Sequence, residues 1–302
     1  MTDSAPATAA LSQRAASFPW YGYAGLAAML ISEFFMIAKI DPFYKWFTPL
    51  QWTGYIFFLD ALLVRRRGAS FIFDHTKTFL AMLLVSDIFW FMFEGYNLHL
   101  RNWEYVNLPE NMLKRMAGFI WAFATVYPGV LMTSEVLDDF GVFRKATFGR
   151  KRGNETGFTI PRGLHKAFII VGFIFCVGPL FVPAEIAKYL FVFVWVGFFF
   201  LLDSLNYRRQ QPSLLRAFEQ GSLQKLLSLF AAGLICGVLW EFWNYWAGTK
   251  WVYTVPYFNE PKIFEMPLYG FLGFLAFAVE CYVMWRFAQR FLPERWRDKF
   301  TR

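Results

Sequence analysis

Apolar residues along this chain fall in long blocks separated by short polar stretches. The blocks are too long and too evenly apolar to be the single buried faces of soluble helices. Eight of them approach the roughly 20 residues that a helix needs to cross a hydrocarbon core about 30 Å thick. They are Trp20–Ala38, Phe47–Val64, Thr78–Leu98, Met116–Val136, Leu164–Val182, Ala187–Leu205, Leu223–Ala247 and Phe264–Ala288. The pattern predicts an all-α polytopic membrane protein of about eight transmembrane helices. Residues 1–18, rich in Ala, Ser and Thr with no basic segment before a short apolar core, read as a disordered cytoplasmic tail and not as a signal peptide. A bacterial inner membrane is the expected location.

Composition agrees with that reading: 57% hydrophobic, 22% aromatic and 17% charged residues is not the balance of a soluble domain. The formal charge of +8 is mainly a topology signal. If the N-terminus is cytoplasmic, 22 of the 30 Lys and Arg residues lie in or beside cytoplasmic segments, as the positive-inside rule requires. Both termini are then cytoplasmic. The charge needs no nucleic acid partner, and the basic stretches at Arg144–Arg152 and the C-terminus suit anionic headgroups.

A second periodicity is much longer. Trp52, Gly54, Phe57, Leu59, Asp60, Leu62, Arg65, Arg66 and Ser70 recur as Trp195, Gly197, Phe200, Leu202, Asp203, Leu205, Arg208, Arg209 and Ser213, ungapped at an offset of 143. The expected organisation is a four-helix repeat over 19–140, a basic cytoplasmic linker over 141–163, a second four-helix repeat over 164–290 and a basic tail over 291–302. Four helices is an even number, so both repeats would run in the same direction, about a pseudo-twofold axis along the membrane normal.

Two layers of charge follow. On the cytoplasmic side, Asp60 with Arg65, Asp203 with Arg208, and Glu135 and Glu280 at the ends of the fourth and eighth spans read as structural ion pairs that fix helix ends. On the outer side, Phe93-Glu94-x-x-Asn97 returns as Trp240-Glu241-x-x-Asn244, followed by Trp103 and Tyr105 in one loop and by Trp251 and Tyr253 in the other. A carboxyl and an amide at i, i+3 share a helix face. One reading is an aromatic belt with Glu–Asn hydrogen bonds joining helices. The other is a pair of acid sites roofed by aromatic rings. A carboxyl desolvated in an apolar bundle can stay protonated and donate, and ring faces stabilise cations.

Trp240-Glu241, Gly248-x-x-Trp251-x-Tyr253-x-x-Pro256 and Ile263-Phe264-Glu265-Met266-Pro267 resemble the repeated domain of the integral-membrane lycopene cyclases, and are similar to the fungal membrane meroterpenoid cyclases. The resemblance covers the second to fourth and, more strongly, the sixth to eighth spans. It implies acid-catalysed carotenoid or isoprenoid chemistry, with Glu94 and Glu241 at the Trp-acid position. Where the cyclase pattern has adjacent acids after the proline, this chain has Tyr269-Gly270.

Other chemistries have less to work with. His75, His99 and His165 lie in loops or at helix edges, which argues against paired-histidine haem and histidine-clustered di-iron sites. Cys176, Cys236 and Cys281 sit singly within spans as small core residues. A carboxylate-only metal site of Glu94, Glu241 and Glu104 is the remaining metal reading; none is expected. Glu33 and Asp87 are intramembrane acids without a copy in the other repeat. The chain therefore reads as a cofactor-free membrane isomerase or cyclase of an apolar isoprenoid or lipid. Glu94 and Glu241 would exchange protons, Asn97 and Asn244 orient them, and Trp103, Tyr105, Trp251 and Tyr253 shape the cavity. The alternative is a non-catalytic lipid or pigment binder or a transporter. Oligomeric state is not legible in the sequence.

Overall fold

The computed structural model describes residues 17–149, 159–258 and 260–297. Most of the expected N-terminal tail, the centre of the basic linker and the end of the C-terminal tail lie outside the described residues. The helices are α1 (Trp20–Ile37), α2 (Phe47–Arg67), α3 (Thr76–Leu100), α4 (Met112–Ala124), α5 (Val126–Asp139), α6 (Arg162–Val177), α7 (Ala184–Ala187), α8 (Phe191–Phe198), α9 (Ser204–Arg208), α10 (Leu214–Glu219), α11 (Gln224–Trp246) and α12 (Phe271–Ala288). Strand β1 (Trp103–Val106) pairs antiparallel with β2 (Lys250–Tyr253), and β3 (Lys262–Ile263) with β4 (Met266–Pro267).

Among the described residues, seven helical stretches are long and apolar enough to cross a membrane: α1, α3, α4–α5, α6 with its 3-10 extension, α8–α9 joined by a π-helical turn, α11, and α12 with its flanking turns. The remaining expected span is α2, a 21-residue helix that carries Asp60 and Arg65, Arg66 and Arg67. Eleven of its residues are buried, so it lies within the bundle, where neighbours supply partners for its polar groups.

Three of the differences from the expected spans have a local cause. The span drawn over Met116–Val136 is divided at Thr125, because Pro128 has no N–H and its ring would clash with the Ala124 carbonyl in a continuous helix. The span drawn from Ala187 begins at Phe191, since Ala187 ends the separate short helix α7. The span drawn from Phe264 begins at Phe271. Phe264 has φ 58°, and the chain around it folds into the β3–β4 hairpin.

Several contacts occur twice, at sequence offsets of 143 or 147. A Cβ on Gly25 would sit 2.5 Å from the Gly54 carbonyl oxygen, and one on Gly172 would sit 2.7 Å from that of Gly197. Only glycine lets these backbones approach so closely. α1 lies against α2 in this way, and α6 against α8. Asp60 accepts the Phe71 and Ile72 N–H groups at 2.7 and 3.2 Å, and Asp203 those of Leu214 and Leu215 at 3.0 and 2.9 Å. The aspartates and the residues they cap all differ by 143.

These aspartates are not the ion pairs expected. Asp60 also accepts from Tyr21 and Ser70, and neither Arg65 nor Arg208 forms an ion pair among the described residues. Five helical positions put the two side chains roughly 140° apart, while the chain folding back over the helix end brings its bare N–H groups to the carboxylate. Glu135 does pair, with Arg67 at 2.6 Å and Lys225 at 2.8 Å. Lys225 also meets Asp138, and Arg67 meets Asp139 at 2.5 Å, so α2, α5 and α11 are tied by one network. Glu280 is the opposite case. α12 runs on past it, leaving it at mid-helix, fully buried with neither oxygen hydrogen-bonded. Of the unmatched acids, Glu33 accepts from Gln51 Nε2 at 3.1 Å, while Asp87 Oδ1 is buried without a partner.

The core is continuous from one half of the chain to the other: α11 packs on α5 and α2, and α12 on α8 and α5. Lys225→Met strips nearly buried Asp138 of its cation and leaves nearly buried Glu135 with Arg67 alone. It should cost about 3–5 kcal/mol and show as a clear fall in unfolding temperature in detergent. Lys188→Met, which breaks an exposed pair with Glu185, should leave that temperature unchanged.

Candidate functional site

Helix α3 ends with Arg101 in the left-handed region at φ 53°, and the chain turns at once into β1. The side chain of Asn97 makes that turn possible. Its Nδ2 donates to the Trp103 carbonyl at 2.7 Å, and its Oδ1 accepts the N–H groups of Asn102 and Trp103 at 2.8 and 3.3 Å. Asn244 grips β2 in the same way: Nδ2 donates to the Trp251 carbonyl at 2.9 Å and Oδ1 accepts the Trp251 N–H at 3.0 Å. Both amides are therefore spent on backbone. They do not orient the carboxyls as the i, i+3 spacing suggested; they hold the strands that carry the aromatic residues.

The two strands then pair with each other. Trp103 lies opposite Tyr253 and Tyr105 opposite Trp251, so two copies of one Trp-x-Tyr motif meet in a self-complementary register. The pairing carries the rings of both motifs back over the ends of α3 and α11. Glu94 Oε1 accepts from Tyr105 OH at 2.6 Å and from the indole N–H groups of Trp90 and Trp103, both at 3.1 Å. Glu241 is fully buried. Its Oε1 accepts from Tyr253 OH at 2.8 Å, while the Trp251 indole donates to the Tyr253 oxygen at 3.1 Å and Oε2 has no partner.

The sites differ for a sequence reason. Trp90 stands four residues before Glu94, one helical turn away, whereas the residue four before Glu241 is Gly237, against which the Phe274 ring packs. Glu241 therefore lacks the Trp90-type donor and, with the Trp251 indole on the Tyr253 oxygen, accepts from neither indole position. Trp90 is the functional candidate that sequence reading missed, and its i, i+4 spacing from Glu94 was the available signal.

Between the motifs lies a cavity of about 480 Å³, lined among others by Trp90, Trp103, Tyr105, Trp240, Trp251 and Tyr253. That size falls within the roughly 300–1,000 Å³ of small-molecule sites, and an apolar lining with a few polar groups is their usual character. Neither Glu94 nor Glu241 lines it. Each carboxyl is joined to a lining residue, Tyr105 or Tyr253, by that tyrosine's hydroxyl. Among the described residues, no three His, Cys, Asp or Glu side chains are grouped to hold a metal ion, and Glu104 is exposed on β1.

Tyr105 and Tyr253 belong to the strands, outside the helical spans. Burial, reinforced by the neighbouring carboxyl, pushes both phenols well above their ordinary value. A phenol with a raised value stays protonated as pH climbs past about 10. Tyr105→Phe with Tyr253→Phe should thus leave the tyrosinate absorbance developed by pH 11 unchanged. Loss of two chromophores from that step would show the phenols to be ordinary.

No protein-family model matches this chain, and no curated protein or solved structure matches it.

Proposed function

We propose that this protein is an integral-membrane enzyme that isomerises or cyclises an apolar isoprenoid or lipid by proton transfer. The observation that carries the reading is the Glu–Tyr pair repeated on two sides of one aromatic cavity: Tyr105 OH on Glu94 and Tyr253 OH on Glu241. In its acid form, a glutamic acid passes a proton to its tyrosine as the tyrosine hydroxyl gives one to a substrate double bond. A carbocation forms between the indole rings, which stabilise it by cation–π attraction. Loss of a neighbouring proton to the second Tyr–Glu pair restores a double bond. Proton count and redox state are unchanged, so no cofactor is called for. This is the chemistry implied by the resemblance to membrane lycopene cyclases, here routed through tyrosine.

The same reading takes the chain as a duplication, with α2 as an eighth membrane-embedded helix and two parallel four-helix repeats. The doubled Gly–Gly approaches, aspartate caps and asparagine clamps support it. The distribution of basic residues supports a cytoplasmic side for both termini. A non-catalytic lipid or pigment binder is favoured by one observation: tyrosines and tryptophans line the cavity, and Glu94 and Glu241 do not.

The test is a mass-spectrometric profile of isoprenoids and neutral lipids in a deletion strain, complemented with the wild type or with Glu94→Gln plus Glu241→Gln. The enzyme reading requires a product that the wild type restores and the double variant does not. Identical profiles from wild type and double variant, with the apolar ligand still co-purifying, would leave the binder.

A further inference from the structure

A second cavity, of about 80 Å³, lies across the wall formed by Trp90, Tyr105, Trp240 and Trp251, residues that also line the large one. Its remaining apolar lining includes Trp52, Phe119 and Phe123. The rest differs in kind. Lys45, Lys114, Arg115 and Lys250 all line it, whereas no Lys or Arg lines the large cavity. Half of the eight basic residues at the sheet end of the bundle therefore converge here.

Two of the four are already neutralised: Lys45 by Asp41 at 2.7 Å and Lys250 by Glu265 at 2.5 Å. Lys114 and Arg115 have no carboxylate partner among the described residues; the Arg115 Nε donates to the Pro109 carbonyl at 3.1 Å. Both stand in the first turn of α4, which contains no acidic residue. Two cations there add to the positive end of the helix dipole instead of offsetting it.

Thr48 is an independent sign. It lines this cavity and is only 7% exposed; its Oγ1 is shut off from the open space with no hydrogen-bond partner, so a turn about the Cα–Cβ bond brings the hydroxyl to a ligand. Buried hydroxyls are almost always paired. The residue 143 positions later, Phe191, lines the large cavity and has no hydroxyl to satisfy.

We infer that this smaller cavity binds the phosphate head of a single-chain amphiphile, gripped by Lys114, Arg115 and the Thr48 hydroxyl. Two free cations and a hydroxyl match a head with several acceptor oxygens better than a carboxylate. The cavity has room for roughly five to eight water-sized groups, which is enough for the head and the first carbons of one chain against Trp52, Phe119 and Phe123. The inference stands apart from the proton chemistry proposed for the large cavity.

The test is titration of the purified full-length protein in neutral detergent with dodecyl phosphate, followed by the fluorescence of the lining tryptophans. Lys114→Gln with Arg115→Gln should weaken binding about tenfold or more, as expected for losing charge-assisted hydrogen bonds. Thr48→Val should weaken it several-fold without lowering the unliganded melting temperature, since that hydroxyl has no protein partner to lose. Lys114→Gln alone, at an exposed position, provides the comparison should the double variant misfold. Dodecanol should bind weakly and alike to all variants. Equal dodecyl phosphate affinity in wild type and charge variants would overturn the inference, as would dodecanol binding as tightly as dodecyl phosphate. Inorganic phosphate competing equally well would remove the tail from the site. Phosphatidylglycerol competing equally well would reassign the site to a two-chain bilayer lipid.

Discussion

The candidate site depends on two asparagine side chains that satisfy backbone where helices stop. A chain leaving a helix at the edge of a bilayer exposes N–H and C=O groups that need partners. Asn97 and Asn244 each supply both a donor and an acceptor to the strand that follows. That fixes where β1 and β2 begin, and the two strands complete their hydrogen bonding on each other. Only then do Tyr105 and Tyr253 return to the carboxyls of Glu94 and Glu241. Without the clamps, the same rings would be an aromatic belt of no defined geometry.

Much of this was legible in the sequence, and the failures have identifiable causes. The span pattern found every long helix, because apolar length is a strong signal. It misplaced the start of α12, where the Phe264–Pro267 stretch is apolar in composition but folds as a hairpin. The doubled Glu-x-x-Asn motif marks the two helix ends where the strands begin and where the Glu–Tyr contacts are found. It misassigned the amide, since i, i+3 spacing says that two side chains share a face and does not say whether an amide at a helix end turns to its neighbour or to the backbone beyond. Asp60 and Asp203 were misread in the same way, with a nearby arginine preferred over the unsatisfied N–H groups of the returning chain. Thr48 and the Lys114–Arg115 pair gave no sequence signal, because their meaning lies in a shared cavity.

Matching positions in the two halves differ in chemistry while sharing several packing contacts. Glu135 sits in a network with Arg67 and Lys225. The residues at the corresponding offsets around Glu280 are Gln210 and Thr78, and Glu280 is buried with neither oxygen hydrogen-bonded. A similar contrast separates the cavities. One is large and free of basic residues; the other is small, with cations at its edge. A shared tryptophan wall joins two environments of different character.

The pairing of β1 with β2 can be tested directly by cross-linking. Glu104→Cys and Val252→Cys, in a chain with Cys176, Cys236 and Cys281 replaced by Ala, place thiols at directly opposed positions. Opposed antiparallel residues lie about 4.5–5.5 Å apart between Cα atoms, within disulfide range. Mild oxidation in the membrane followed by peptide mass spectrometry should give a 104–252 disulfide in high yield, and little from Val106→Cys with Val252→Cys, which are two residues out of register. Equal yields from both pairs, or none from the first, would contradict the strand pairing on which the site is built.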